Sequence, residues 1–231
     1  MKNLALTLAL ALVIVPFASC SKNEDASSRV SFSSAAPPPA PPATAAPATT
    51  PAAQPSATGA AIARSATGTE VVSIGASRIE IVSGGSTTTL AIEAKETGKR
   101  KYYDGRGSQL AEVKASDTGF KVRTPGGALL WKVRLYDDKI KVSDNEENLS
   151  AWVLKTGYPD KAKILDPSEA EIGDVRFASA PDPIRVRTAS GSDAWTVEGG
   201  RASAAWGVLM MEPVPAAHRA IIVTELLARG R

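Results

Sequence analysis

The sequence predicts a mostly β protein: an antiparallel, hairpin-built barrel of about twelve strands, with one apolar C-terminal helix buried inside it. Three observations carry this reading. An internal repeat spells out two hairpins. Period-two alternation of apolar and charged residues runs through most of the second half of the chain. The last segment changes period and is apolar nearly all round.

The repeat is the clearest of the three. Gly107 to Thr124, moved forward by twenty positions, falls on Gly127 to Asp144 without a gap. Leu110 meets Leu130, Val113 meets Val133, Phe120 meets Ile140 and Val122 meets Val142. Self-similarity at a fixed period marks a repeated supersecondary unit. Here the unit is a β-hairpin, turning at Ser116-Asp117-Thr118-Gly119 in the first copy and at Asp137-Asp138 in the second. Within the strands Phe120 and Val122 oppose Lys121 and Arg123, and Trp131, Val133 and Leu135 oppose Lys132 and Arg134. One face is therefore buried and one wet, as in an antiparallel sheet.

In chain order, strands are predicted at 70–74, 78–82 and 87–94, then in the two hairpins, then at 152–154 and 162–165. Further strands follow at 173–178, 184–188, 194–198 and 202–210. Gly84-Gly85, Gly126-Gly127, Ser190-Gly191 and Gly199-Gly200 punctuate them as turns between strands. A dozen strands laid flat would leave two exposed edges, and closure removes both. Pro213-Val214-Pro215 then breaks the pattern, and Ala216 to Arg229 reads as a helix about 20 Å long. Past the first turn, which holds His218 and Arg219, only Thr224 and Glu225 interrupt its apolar surface before Arg229, so it belongs in the interior. The β-branched run Ile221-Ile222-Val223 leaves a second reading open, a last strand.

The N-terminal part is organised differently. Lys2, a short apolar run from Leu4 to Val15, and Phe17-Ala18-Ser19 before a lone Cys20 form a secretory leader over residues 1–19. The apolar run is too brief to cross a bilayer. The small residues ahead of Cys20 resemble a bacterial lipobox, with Phe17 standing where an aliphatic residue is usual. The resemblance implies cleavage before Cys20, a diacylglycerol on its sulfur and acylation of its amine, palmitate-type lipidation that anchors the chain in a membrane. Ser21 after the cysteine resembles the export-permitting residue of lipoproteins in two-membrane bacteria, which points to the outer membrane within the cell envelope. Residues 20–67 read as a proline-rich, disordered tether. No charge falls between Val30 and Ala63, and eight of the sixteen prolines lie between Pro37 and Pro55. Extended, it would reach on the order of 100 Å, as a spacer or as a passive linker. The remaining residues, 68–231, are the β domain.

Many antiparallel strands followed by one apolar C-terminal helix resemble the tubby C-terminal-like fold, shared by LURP-one-related proteins and phospholipid scramblases. The resembling stretch runs from Lys101-Tyr102-Tyr103-Asp104-Gly105 through Trp131-Lys132-Val133 to Asp144, together with the closing helix. The resemblance implies a closed barrel around a buried helix and carries no catalytic motif.

Composition narrows the function. The 231 residues carry a formal net charge of +3, which falls to about +2 once Lys2 leaves with the leader, too mild for a dedicated nucleic-acid binder. A single cysteine excludes an intrachain disulfide and a thiol metal cluster. The one histidine, His218, has no Gly-x-Ser-x-Gly nucleophile motif or metal-ligand spacing beside it and reads as a residue at the start of the helix. Glu93 with Glu96, and Asp137 with Asp138, read as surface and turn carboxylates. No metal, no cofactor and no enzymatic activity are expected. What stands above background is basic. From Lys99 to Lys141 there are eleven Lys and Arg against five acids. Lys114, Lys121, Arg123, Lys132, Arg134 and Lys141 share the outward parity and form a candidate stripe for anions or lipid headgroups. Two functions follow from this. One is an envelope lipoprotein carrying a non-catalytic binding or structural module, with an envelope protein as its partner. The other is a protein that handles lipid or binds anionic phospholipid.

Overall fold

A computed structural model describes residues 60–95, 98–178 and 181–231. The leader, Cys20 and the tether up to residue 59 lie outside the described residues. The described chain forms fourteen strands: β1 (Ala61–Ser65), β2 (Glu70–Ile74), β3 (Arg78–Ser83), β4 (Ser86–Ala94), β5 (Lys99–Tyr103), β6 (Gln109–Ser116) and β7 (Gly119–Arg123) make the first half. The second half is β8 (Leu129–Leu135), β9 (Lys139–Ser143), β10 (Trp152–Lys155), β11 (Lys161–Leu165), β12 (Glu171–Arg176), β13 (Ile184–Thr188) and β14 (Asp193–Glu198). Each pairs antiparallel with the next, and β14 closes on β1, with Ala63 opposite Val197. Closure pairs both edges of the sheet, leaving no open strand among the described residues as a template for aggregation.

The repeat maps onto β6–β7 and β8–β9. Val113 and Val133, Phe120 and Ile140, and Val122 and Val142 all turn inward and are no more than 2% exposed. Ser116 faces Gly119 across the turn at Asp117-Thr118, and the Tyr136 N–H donates to Lys139 O (2.9 Å) around Asp137-Asp138.

The interior is filled by the C-terminal segment. The helix α1 (Ala216–Ala228) forms where the sequence placed it, and Ala220, Ile221, Ile222, Val223 and Leu226 are fully buried. An apolar circumference is what a helix needs when sheet surrounds it. The run Ile221-Ile222-Val223 is helical, so the last-strand reading is set aside.

Three expectations are corrected. Residues 202–210 are not a strand: Ala204–Met210 is a 3-10 helix, started by Ser203, whose Oγ accepts from the Ala205 N–H (3.0 Å). Its residues Ala204 to Leu209 are all buried, and a continuous apolar run does not distinguish a buried strand from a buried helix. The domain also starts earlier than residue 68, because β1 lies in what the composition marks as tether. Its Ala61 and Ala63 are buried, but alanine there looks like more tether. Finally, the strand count is fourteen rather than about twelve, because β1 and β5 both join the barrel while 202–210 leaves it, and β5 is the less legible of the two. It reads Lys-Arg-Lys-Tyr-Tyr, with Tyr102 alone fully buried, so its alternation is hidden by three cations.

Candidate functional site

The six cations of the stripe all stand on the outer surface of β6 to β9. Lys114 faces Lys121 across β6–β7, Lys121 faces Lys132 across β7–β8, and Arg134 faces Lys141 across β8–β9. Like charges directly opposite one another repel, so such a row needs a counter-charge or a ligand. Part of that need is met by Glu146, in the loop between β9 and β10. Its carboxylate takes Lys121 Nζ at 2.6 Å, Arg123 Nη2 at 3.0 Å and Lys132 Nζ at 3.6 Å. The hydrogen bond from Lys121, with the charges of all three cations, holds the Glu146 carboxyl below the usual carboxylate range. The stripe is therefore divided. Lys121, Arg123 and Lys132 clamp a loop, whereas Lys114, Arg134 and Lys141 have no carboxylate partner among the described residues. Arg134 lies 5.6 Å from the centre of the Tyr136 ring, which Lys139 also approaches at 5.4 Å. Arg134, Lys121 and Lys132 line a hollow of about 260 Å³ with Ser116 and Thr118.

Inside the barrel, polar groups close on one another. Glu225 of α1 is fully buried and accepts from the Tyr102 hydroxyl (2.6 Å), from Arg229 one turn on, and from Arg100 (3.4 Å). Burial pushes the Tyr102 hydroxyl far above its ordinary value, and the Glu225 charge adds to this, so the phenol stays protonated as a donor. At the other end of α1, Arg219 donates Nη2 to both carboxylate oxygens of Glu70 (3.1 Å each). Sequence reasoning missed both clusters. The signal that was present was the charged residues within an apolar helix, Arg219 and Glu225, since a buried charge needs partners.

His218 is the third residue of α1, as expected, and it has a partner that was not anticipated. The Trp131 indole N–H donates to His218 Nδ1 at 3.0 Å, with the rings edge-on at 65°. Burial pushes the imidazole pKa below its ordinary 6.5. The unfolded chain, with the unshifted imidazole, then binds the proton more readily. Stability from this site is complete above about pH 6.5 and falls as the pH drops below it. Thermal unfolding of the parent and of His218→Gln between pH 7.5 and 5 is expected to diverge, the parent losing more on the acid side. Parallel curves would refute this.

The remaining candidates that the structure describes sit in surface pairs and turns. Glu93 takes Lys95 and the Tyr103 hydroxyl (2.8 Å), and the Lys95 bond lowers its pKa. Glu96 lies outside the described residues. Asp137 and Asp138 form the β8–β9 turn. Gly84-Gly85 and Gly126-Gly127 connect strands, but Gly199-Gly200 leads from β14 into the 3-10 helix, a correction to its reading as a strand-to-strand turn.

No protein-family model matches the chain. No curated protein matches it either. An X-ray structure of a protein from Arabidopsis thaliana is similar at 12% identity and a TM-score of 0.33, covering 59% of this chain and 88% of that one. The closed antiparallel barrel itself rests on the strand pairing described above.

Proposed function

We propose that this chain is a lipoprotein of the cell envelope, anchored through acyl groups on Cys20 and favouring the outer membrane, whose tubby-like barrel is a non-catalytic binding module. The observation that carries the binding reading is the division of polar groups. Glu225, Arg219 and His218 inside are engaged with Tyr102, Glu70 and Trp131, while Lys114, Arg134 and Lys141 stand outside without a carboxylate among the described residues. The interior chemistry holds the fold, and the outer surface offers charge to a partner.

A second reading, contact with anionic phospholipid, is favoured by the density of cations on adjacent strands. Each cation near an anionic surface contributes about 1 kcal/mol. The test is co-sedimentation of residues 20–231 carrying Cys20→Ser with anionic and neutral liposomes at low and high salt. Anionic-only binding that salt removes is expected to weaken when Lys114, Arg134 and Lys141 are changed to Glu. Glu146→Gln, which releases three clamped cations, is expected to strengthen it. Absence of binding under all conditions would discard the lipid reading and leave an envelope protein as the partner of this face.

A further inference from the structure

We propose that the barrel mouth at the C-terminal end of α1 binds a single-chain anionic amphiphile, its chain in the mouth and its head on Arg100 and Arg201. A hollow of about 580 Å³ opens there, within the size range of small-molecule sites. Its wall is apolar, with Ala61, Ile74, Ile92 and Leu227 from three strands and the last turn of the helix. Trp206 lies beneath, and Gly200 lets the chain pass close over it: a Cβ at Gly200 would stand 2.8 Å from Trp206 Cζ2. The small residues around this mouth leave the space, and the large ones at its base make it apolar.

Charge sets the chemical class. Arg100 and Arg201 both line the hollow. Arg100 gives Glu225 one long contact of 3.4 Å and keeps about a third of its side chain (35%) exposed, and its other side-chain N–H groups have no hydrogen-bond partner among the described residues. Arg201 is exposed and has no carboxylate partner among the described residues, while its backbone is fixed by the Trp206 indole N–H donating to its carbonyl (3.1 Å). The terminal carbonyls of α1 do not use these cations. The Leu226 carbonyl accepts from the Arg229 and Arg231 N–H groups, and the Leu227 carbonyl accepts from Gly230. Two guanidiniums beside an apolar hollow suit a carboxylate or phosphate head on a hydrocarbon chain, because guanidinium forks match both heads. An uncharged apolar ligand would leave Arg201 without a counter-charge among the described residues.

The site requires neither a membrane nor the anchor, so its test is separate from the liposome experiment. Residues 20–231 with Cys20→Ser are titrated calorimetrically with octanoate, decanoate and dodecanoate, with dodecyl phosphate, and with dodecanol as the uncharged control. One ligand per chain is expected. Affinity should rise by about three- to fourfold per methylene until the hollow is filled. Arg201→Glu should weaken dodecanoate by about tenfold or more, since a charge-assisted bond is lost and a repulsion gained. Ala76→Trp, in the exposed turn that lines the hollow, should block binding without entering the core. Whichever of dodecanoate and dodecyl phosphate binds more tightly identifies the head. Failure to saturate, dodecanol binding as tightly as dodecanoate, or an unchanged affinity in Arg201→Glu would overturn the assignment.

Discussion

Arg229→Met is expected to destabilise the barrel by about 3–5 kcal/mol, far more than Glu225→Gln, although both changes break the same ion pair. The asymmetry comes from which charge is left behind. The Glu225 side chain is fully buried, whereas that of Arg229 is 21% exposed. Removing the arginine strands a carboxylate inside the barrel with the Tyr102 hydroxyl and a long contact to Arg100. Removing the carboxylate leaves a guanidinium that reaches water, still bonds the Glu225 backbone carbonyl (2.7 Å) and still lies 4.6 Å over the Phe120 ring. Glu225→Gln also keeps an acceptor for Tyr102, so its cost is about 1–2 kcal/mol. Methionine retains the packing of the arginine stem, so the Arg229→Met loss reports charge rather than volume. Denaturant unfolding of both single variants and of Arg229→Met with Glu225→Gln checks the argument. The double variant is expected to be more stable than Arg229→Met alone. If it is less stable, the buried carboxylate is not what makes the single change costly.

The same cluster shows where a sequence can and cannot be read. The alternation of Phe120 and Val122, the twenty-residue repeat and the apolar circumference of α1 are local patterns, and each placed its element correctly. The partners of Glu225 and Arg219 are not local. Arg100 is 125 positions from Glu225, and Glu70 is 149 from Arg219. Nothing in either neighbourhood announces the other. The stripe occupied both conditions at once. Parity correctly put Lys114, Lys121, Arg123, Lys132, Arg134 and Lys141 on one surface, because strand periodicity fixes the face. It was silent on Glu146, which reaches them from a loop with no periodicity. A count of cations on one face is thus an upper limit on the charge available to a partner until the loops are placed. Strands β1 and β5 were hidden for a related reason. Their inward positions are filled by Ala61, Ala63 and Tyr102, and their other residues resemble a tether in one case and a basic surface in the other. Closure of the barrel gives both segments their strand pairing on two sides.

Gly119→Ala and Gly173→Ala should each cost about 3 kcal/mol or more, at the upper end for single substitutions. A Cβ on Gly119, at the start of β7, would stand 2.0 Å from the Val133 carbonyl oxygen, and one on Gly173, in β12, would stand 2.1 Å from that of Arg187. Both obstacles are backbone atoms of the neighbouring strand, so no side-chain rotation relieves them. Gly119 also has a φ of +150°, which side-chain-bearing residues rarely adopt. In an open sheet an edge strand could shift away. Here every strand is paired on both sides, so displacing β8 or β13 must move the next pairing as well, around a ring that has to close. Gly107→Ala is the control. Its φ of +81° carries the conformational penalty, about 1 kcal/mol, but nothing lies within 4 Å of the added atom. Urea unfolding of the three variants is expected to place Gly107→Ala near the parent and the other two well below it. Equal losses in all three would mean that backbone conformation, not the contact across strands, sets the need for glycine. A loss confined to Gly119→Ala and Gly173→Ala would tie it to the close approach of strands that closing this barrel demands.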